Sequence, residues 1–253
     1  MTRDPAAPPL GVDLTLSLLP DPVSPDLATL AALQDAFLAS VREVDPTTRV
    51  PWCGRWRVRD LVVHLARIHH WAAGQARRRQ ETPLGRGPFV LDELYAAQAA
   101  ELRGTLADLA PDAPAWTLDD SGVAAFWHRR QVHETLVHLW DLRTAGGLPL
   151  DVAPALWADT VDEVVTVMHP RQVRMGRAAP SPHRVRLVAP DADRSWTLHA
   201  ADDAAEHPDV EVTAPAATLA LLLWGRTTPD DPTAVVTGDR AALDATLAAR
   251  LTP

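Results

Sequence analysis

The stretch VHETLVH, residues Val132–His138, decides how this chain is interpreted. It resembles the zinc-protease pattern H-E-x-x-H, in which two histidines four apart share one helix face and the glutamate is a general base. Here His133 and His138 are five apart, about 140° around a helix, so they cannot bind one metal ion. Glu134 and His138 are four apart and can converge on one point. The stretch therefore predicts a helix that supplies a glutamate and a histidine ligand.

A third ligand must come from another element, and His64 is the best candidate. It shares a helical stripe with Leu61 and Ile68, which predicts that it faces the interior of a helix bundle. His69 and His70 lie on other faces of the same helix. Two histidines and one carboxylate leave a coordination position open, as in catalytic zinc sites. A water or thiolate in that position would become a nucleophile near neutral pH.

The pattern around Glu134 also allows a second interpretation. Polar residues and Trp127 cluster on one side of this helix, and Val132, Leu136 and Leu139 on the other. Glu134 and His138 could then be a solvent-exposed i,i+4 pair, worth about 0.2–0.5 kcal/mol. Periodicity alone leaves both interpretations open.

Composition excludes several classes of protein. The chain has 253 residues, 47% of them apolar, and one cysteine, Cys53, so it should fold without an internal disulfide. The net charge of -9 argues against a nucleic-acid binder. No apolar run approaches the roughly 20 residues of a membrane span, and the N-terminus lacks the pattern of a secretory signal. We expect a cytoplasmic protein, monomeric or a small homo-oligomer, with no nucleic-acid or membrane partner.

The N-terminal part of the chain has the periodicity of helices. Residues 1–24 are proline-rich with little periodic pattern, which predicts a flexible lead-in. Helical spacing then recurs in five segments, and a linker follows at about residues 171–182. The segments predict an all-α helix-bundle domain over residues 25–171. Their ranges are 26–44, 57–79, 91–109, 124–143 and 155–168.

After residue 182 the pattern changes from helical spacing to alternation. The first two strands predict a hairpin around a turn at residues 190–194. Two helices, at residues 216–224 and 240–251, interleave with the later strands. The second domain, residues 183–253, is therefore predicted to be a small α+β domain. Its predicted strands are residues 183–189, 195–199, 210–213 and 234–238.

Two longer strings resemble the mycothiol-dependent maleylpyruvate isomerase family of DinB-like metal-binding bundles. Residues 50–65, VPWCGRWRVRDLVVHL, are similar to that family's C-P-G-W-T-V-R-D-L-x-x-H-L. Residues 127–141, WHRRQVHETLVHLWD, are similar to its W-x-R-R-x-x-H-E-x-x-x-H-x-W-D. DTVDE at residues 159–163 and LLLWGR at residues 221–226 resemble later landmarks, so the resemblance covers about residues 25–250.

The resemblance implies a site and a fold. In that family the matching histidine, glutamate and histidine bind a divalent metal, usually zinc, and here they are His64, Glu134 and His138. The family also implies a DinB-like four-helix bundle followed by a sterol-carrier-protein-like α+β domain, with mycothiol as a candidate cosubstrate. Arg226 matches a family arginine suspected of meeting an anionic substrate, which suits a guanidinium. A structural salt bridge is the alternative for this residue.

The loop before the second helix departs from the family. This chain has C-G-R-W at residues 53–56 where the family has C-P-G-W, so the turn can follow a different path. Cys53 is predicted to be a small buried residue and not a nucleophile, because the sequence places no histidine base beside it. Trp56 and Trp127 flank the proposed ligands and are predicted to wall the cavity.

Three functions remain open at this point. The first is a metal-dependent, thiol-using isomerase or transferase, in which a low-molecular-weight thiol attacks an electrophilic substrate whose carboxylate Arg226 holds. The second is a metal-water hydrolase, for which Asp141 and Asp159 are weak candidates as the base. The third is a non-catalytic binding or regulatory module.

Overall fold

The computed structural model describes residues 26–198 and 207–253. The predicted lead-in and the last residue of the second predicted strand, His199, lie outside these residues. The N-terminal part folds into a four-helix bundle in which α1 and α2 each pack against both α3 and α4. The bundle helices are α1 (Leu27–Glu43), α2 (Val58–Ala76), α3 (Leu91–Asp108) and α4 (Ala125–Ala145).

Local signals in the sequence explain where these helices begin and end. Asp26 caps α1, because its carboxylate accepts a hydrogen bond from the Thr29 N–H at 2.9 Å. Asp60, in the first turn of α2, accepts from the backbone N–H of Arg57 at 2.8 Å. Helix α4 ends at Gly146 and Gly147. A side chain at Gly146 would meet Val44, so only glycine allows α1 and α4 to close together there.

The chain continues into α5 (Pro154–Glu163), a π-helical turn (Val164–Met168) and α6 (His169–Arg174). The prediction that this helix stops before residues 169 and 170 was wrong, and helix continues into the predicted linker. Pro170 lies in the first turn of α6, where its missing N–H does little harm. Helix α5 also packs against α7 (Ala216–Leu223), which joins the bundle to the C-terminal part.

The C-terminal part is a four-stranded sheet with helices packed against it. The strand order is β2-β1-β3-β4, with β1 antiparallel to β2 and parallel to β3, and β3 antiparallel to β4. Buried residues alternate along β1, and α7 and α8 (Arg240–Ala248) contact this strand. The strands are β1 (Val185–Ala189), β2 (Arg194–Leu198), β3 (Val210–Thr213) and β4 (Val235–Gly238).

These elements confirm the predicted fold class, a helical bundle followed by a small α+β part. The predicted hairpin is β1–β2, with Val185 opposite Leu198. Within the described residues, no helix combines the length and the apolar character that a membrane crossing requires.

Candidate metal centre and cavity

Helix α2 presents His64 at the edge of the bundle core. Its neighbours Leu61 and Leu65 are fully buried, whereas the His64 side chain keeps 31% of its surface exposed. The ring lies beside Trp56, with 4.8 Å between the ring centroids. His64 therefore stands on a cavity wall, with its helix anchored by the apolar residues on either side.

Helix α4 brings the other two predicted ligands to the same point. Glu134 and His138 are 6% and 5% exposed, which excludes the interpretation as a solvent-exposed pair. The Oε1 atom of Glu134 lies 3.6 Å from Nε2 of His64 and 3.3 Å from Nε2 of His138. One ligand atom from each of the three residues lies within 4.8 Å of the others. Among the described residues, this is the cluster whose donor atoms converge in this way.

This arrangement fits a divalent metal ion. Ligand atoms about 2.0–2.2 Å from a tetrahedral metal are roughly 3.4 Å from one another, close to the two distances that Glu134 makes. Burial alone would favour a neutral Glu134, but Arg130 and the two histidines outweigh it and hold its pKa well below the usual range. Glu134 is therefore ionised, as a carboxylate ligand must be.

Asp141 fixes the orientation of the His138 ring. Its Oδ2 atom lies 3.0 Å from Nδ1 of His138, so the ring donates from Nδ1 and turns Nε2 toward Glu134. Burial disfavours the charged ring, but Asp141 and Glu134 outweigh it and raise the pKa of His138 to about 9. A metal ion would replace the proton on Nε2, because the ring must be neutral to bind.

Arg130 holds Glu134 from the opposite side. Its Nη2 atom contacts Oε2 of Glu134, and its Nη1 atom donates to Oε2 of Glu163 at 2.8 Å. This contact occupies one oxygen of Glu134 and leaves Oε1 for the histidines. Sequence reasoning did not assign this role to Arg130, although the residue lies in the W-x-R-R part of the string.

A cavity with a volume of 570 Å³ opens beside the three ligands. Its apolar lining includes four tryptophans, which suits a ligand with a flat unsaturated body. The apolar wall residues are Trp52, Trp56, Trp71, Trp224, Ile68 and Leu118.

The predicted wall role is right for Trp56 and wrong for Trp127. Trp127 is fully buried, packs edge-on against Trp71 and donates its indole N–H to the carbonyl of Trp116 at 2.7 Å. It supports the cavity wall from behind, because its side of α4 faces the core.

Comparisons with known proteins agree with this architecture. Residues 27–143 match the family model described as "Mycothiol maleylpyruvate isomerase N-terminal domain", and residues 155–245 match the one described as "MDMPI C-terminal domain". The chain belongs to the mycothiol-dependent maleylpyruvate isomerase family.

Two solved structures of the maleylpyruvate isomerase family share this fold. The crystal structure of the mycothiol-dependent maleylpyruvate isomerase is 14% identical, with a TM-score of 0.58. A histidine-to-alanine mutant of that enzyme is 15% identical, with a TM-score of 0.56. Each alignment covers 83% of this chain and 91% of the other. A search of curated protein sequences gives no match.

Arg226, the arginine that the family resemblance pointed to, also reaches the cavity. It follows α7 after Gly225, whose φ of 67° lets the chain reverse. Its Nε and Nη2 atoms donate to the two oxygens of Asp141 at 3.1 and 2.9 Å, and its Nη1 atom donates to the Trp224 carbonyl at 2.6 Å. Arg226 therefore lines the cavity and forms a salt bridge, so its position is compatible with both predicted roles.

Cys53 lies beside this salt bridge as a neutral thiol. Its Sγ atom is 3.6 Å from Oδ2 of Asp141 and 3.7 Å from Nη2 of Arg226. Burial, together with Asp141, raises the pKa of Cys53 to about 11. This agrees with the prediction that Cys53 is not a nucleophile.

His133 lies on another side of α4, away from the proposed ligands, as its spacing predicted. The ring is fully buried, with Nε2 2.8 Å from Asp159 and Nδ1 3.2 Å from Glu163. Asp159 also receives a hydrogen bond from Nε of Arg129 at 2.9 Å. Asp159 is thus held away from the cavity, where a hydrolytic base would be needed.

Proposed function

We propose that this protein is a zinc-dependent enzyme that activates a low-molecular-weight thiol, mycothiol, for attack on an electrophilic substrate. The main support for the proposal is the convergence of His64, Glu134 and His138 beside a cavity. Membership of a family described by its use of mycothiol supplies the identity of the thiol. The outcome is either isomerisation of the substrate or transfer of the thiol to it.

The three ligands and their supports have separate tasks. His64, Glu134 and His138 would hold the metal, which when bound lowers the pKa of a thiol or water in the remaining position. Arg130 keeps Glu134 ionised, and Asp141 keeps the ring of His138 turned toward the ligand set. The cavity wall then orients the electrophile against the sulfur atom.

In the proposed reaction the thiol loses its proton to solvent and its sulfur atom bonds to an unsaturated carbon of the substrate. The displaced electron pair is taken up by the conjugated carbonyl group, so the former double bond can rotate. Expulsion of the thiolate completes an isomerisation, whereas protonation of the adduct completes a transfer. Both outcomes need only the thiol, the substrate and a proton.

Arg226 can contribute one hydrogen bond to a substrate carboxylate. A guanidinium has five N–H donors. Four of them point at Asp141, the Trp224 carbonyl and Cys53, which leaves one donor on Nη1. Arg226 would therefore bind through a single hydrogen bond unless it gave up Asp141.

The other two interpretations have less support. A hydrolase needs a free base, but Asp141 is paired with His138 and Arg226, and Asp159 with His133 and Arg129. A purely structural metal site would close its fourth position, whereas this ligand set borders a cavity.

The test is a combined metal and turnover measurement on the zinc-supplied full-length protein. We expect one zinc ion per chain, and conversion of maleylpyruvate or consumption of mycothiol only when both compounds are present. Glu134→Gln should lose both properties, whereas the control His70→Gln should keep them, because His70 points away to Glu101 and the Thr82 carbonyl. Turnover without mycothiol, or no stoichiometric zinc, would contradict the proposal.

A further inference from the structure

The polar lining of the cavity is unusually rich in arginine for an acidic protein. Beside the metal ligands and Cys53 it contains Gln131 and four arginines, and Glu134 is the only acidic residue in the lining. The chain as a whole has 33 acidic and 24 basic residues. The excess of positive charge is therefore confined to the cavity, and each guanidinium there needs a negative partner. The four are Arg130, Arg171, Arg177 and Arg226.

Two of these arginines already have carboxylate partners. Arg226 makes a two-pronged contact with Asp141, and Arg130 bridges Glu134 and Glu163. Their charges are neutralised inside the protein. A ligand could take either guanidinium away from its carboxylate only by breaking a buried salt bridge, which is costly.

Arg171 and Arg177 differ, because neither forms an ion pair with a carboxylate in the described part of the chain. The side chain of Arg171 is partly buried. Burial lowers its pKa, and the neighbouring charges of Arg177 and Arg130 lower it further. Uncompensated positive charges on one wall of a cavity attract an anion, and this attraction is stronger at the partly buried Arg171 than at the solvent-exposed Arg177.

The backbone holds these two residues on the same wall. Helix α6 ends in a Schellman turn: Gly176 has a φ of 65° and donates to the Val173 carbonyl at 2.9 Å, and the Arg177 N–H donates to the Gln172 carbonyl at 2.9 Å. The turn folds Arg177 back toward Arg171 on the helix. Glycine is the residue type that adopts this φ most readily, because it has no side chain.

We propose that Arg171 and Arg177 form an anion subsite, separate from Arg226, which binds a negatively charged group of the electrophilic substrate remote from the reacting carbon. This inference rests on the proposed function, and it specifies which second group of the substrate the cavity recognises. The ligand it describes has an unsaturated body against the tryptophan wall and a carboxylate at each end. One carboxylate lies near Arg226 and the metal ligands, and the other near Arg171 and Arg177.

A titration with three non-reactive probes of the same shape tests the subsite. Isophthalate, 3-carbamoylbenzoate and isophthalamide carry two, one and no negative charges on the same aromatic ring. Binding is followed by quenching of tryptophan fluorescence in low salt, with the zinc-supplied full-length protein. Because the dianion and the monoanion both offer a carboxylate to the metal, the preference between them reports the second charge alone.

We expect wild-type protein to prefer isophthalate, and Arg171→Gln or Arg177→Gln to reduce its affinity about three- to tenfold each. The double variant should bind the dianion and the monoanion equally. The control is Arg77→Gln, which removes the same charge from an exposed position outside the cavity. No preference in wild type, a preference that survives in the double variant, or an equal loss in the control would each overturn the subsite.

This titration uses no thiol and no turnover, so it fails independently of the proposed function. A protein without mycothiol-dependent activity can still show the charge preference. If the protein has that activity but the double variant keeps both the charge preference and the wild-type KM, the subsite is refuted and the proposed function stands.

Discussion

Helix α4 presents a histidine to carboxylate groups on each of two sides, and the two sides are built differently. On the cavity side, one oxygen of Glu134 faces Nε2 of both His64 and His138, at 3.6 and 3.3 Å. The three donor atoms therefore surround one point. We call these three residues the metal cluster.

On the other side, His133 lies between Asp159 and Glu163, and each ring nitrogen faces a different carboxylate. We call these three residues the ion-pair cluster. Burial opposes a charged ring, but Glu163 and Asp159 outweigh it and raise the pKa of His133. The two carboxylates face opposite ring nitrogens, so the ligand atoms of this cluster do not meet at one point. The comparison teaches that the same residue types make either a convergent set of ligand atoms or a set of ion pairs, depending on where their polar atoms point.

The largest expected effect follows from removing a ligand of the metal cluster. His64→Ala should lose stoichiometric zinc and all metal-dependent turnover, because Glu134 and His138 alone leave two coordination positions to solvent. Metal content after dialysis and the activity assay both measure this. His70→Ala, six residues further along the same helix, should retain both properties. Stoichiometric zinc in His64→Ala would refute the ligand assignment.

A matched change in the ion-pair cluster should affect stability and not metal binding. His133→Gln removes the cation that Asp159 and Glu163 share, while Arg129 and Arg130 remain paired with them, which should lower the free energy of unfolding by about 1–3 kcal/mol. Urea denaturation measures the loss, and zinc content should stay at one per chain. His183→Gln, at a solvent-accessible contact 3.9 Å from Asp209, should change stability by less than about 0.5 kcal/mol. Equal losses of unfolding free energy in the two variants would show that the ion-pair cluster stabilises the fold no more than an exposed contact does.

A third buried histidine sharpens the comparison, because its partner is uncharged. Burial lowers the pKa of His69 from 6.5 to about 4, opposed by its contact with Gln131. The folded state therefore favours the neutral ring. Its contribution to stability is complete above pH 6.5 and is lost as the pH falls toward 4, by up to about 3 kcal/mol. Between pH 7 and 4.5, the free energy of unfolding should decrease less steeply in His69→Asn than in wild type. Parallel curves for the two proteins would contradict this.

The smallest effect is expected from Asp141, which orients a proposed ligand and is not itself one of the three. Asp141→Asn should weaken zinc binding about 10- to 100-fold, because the His138 ring loses the carboxylate that fixes its orientation. Competition with a chelator of known affinity measures the change. Asp159→Asn, which alters the carboxylate of the ion-pair cluster, should leave zinc affinity unchanged. If both variants bound zinc as wild type does, Asp141 would have no orienting role.

Sequence spacing was sufficient for part of this site. The five-residue separation of His133 from His138 placed them on different sides of α4, and the structure confirms that His133 lies away from the cavity. Spacing could not show whether Glu134 was exposed, because the polar side of α4 is buried like its apolar side. The two strings that resemble the family favoured Glu134 and His138 as ligands, a choice that helical periodicity left open.

Other features depend on contacts between distant parts of the chain. The roles of Asp141 and Arg130 depend on which atoms of Arg226 and Glu163 reach them after folding. The π-helical turn before α6 has no periodic signature, so the continuation of helix to Arg174 was missed. Arg171 and its neighbours in the predicted linker were consequently not considered as cavity residues.

The cavity takes its proposed ligands from the bundle, and Trp224, Arg226 and Pro253 from the C-terminal part. The two family matches are separated by residues 144–154. Recombination between relatives in that interval would combine one parent's ligands with the other parent's wall and salt-bridge partners. Hybrids of this kind should bring together cavity residues that did not diverge in the same chain. The two halves are therefore expected to be inherited together and to diverge as a single unit.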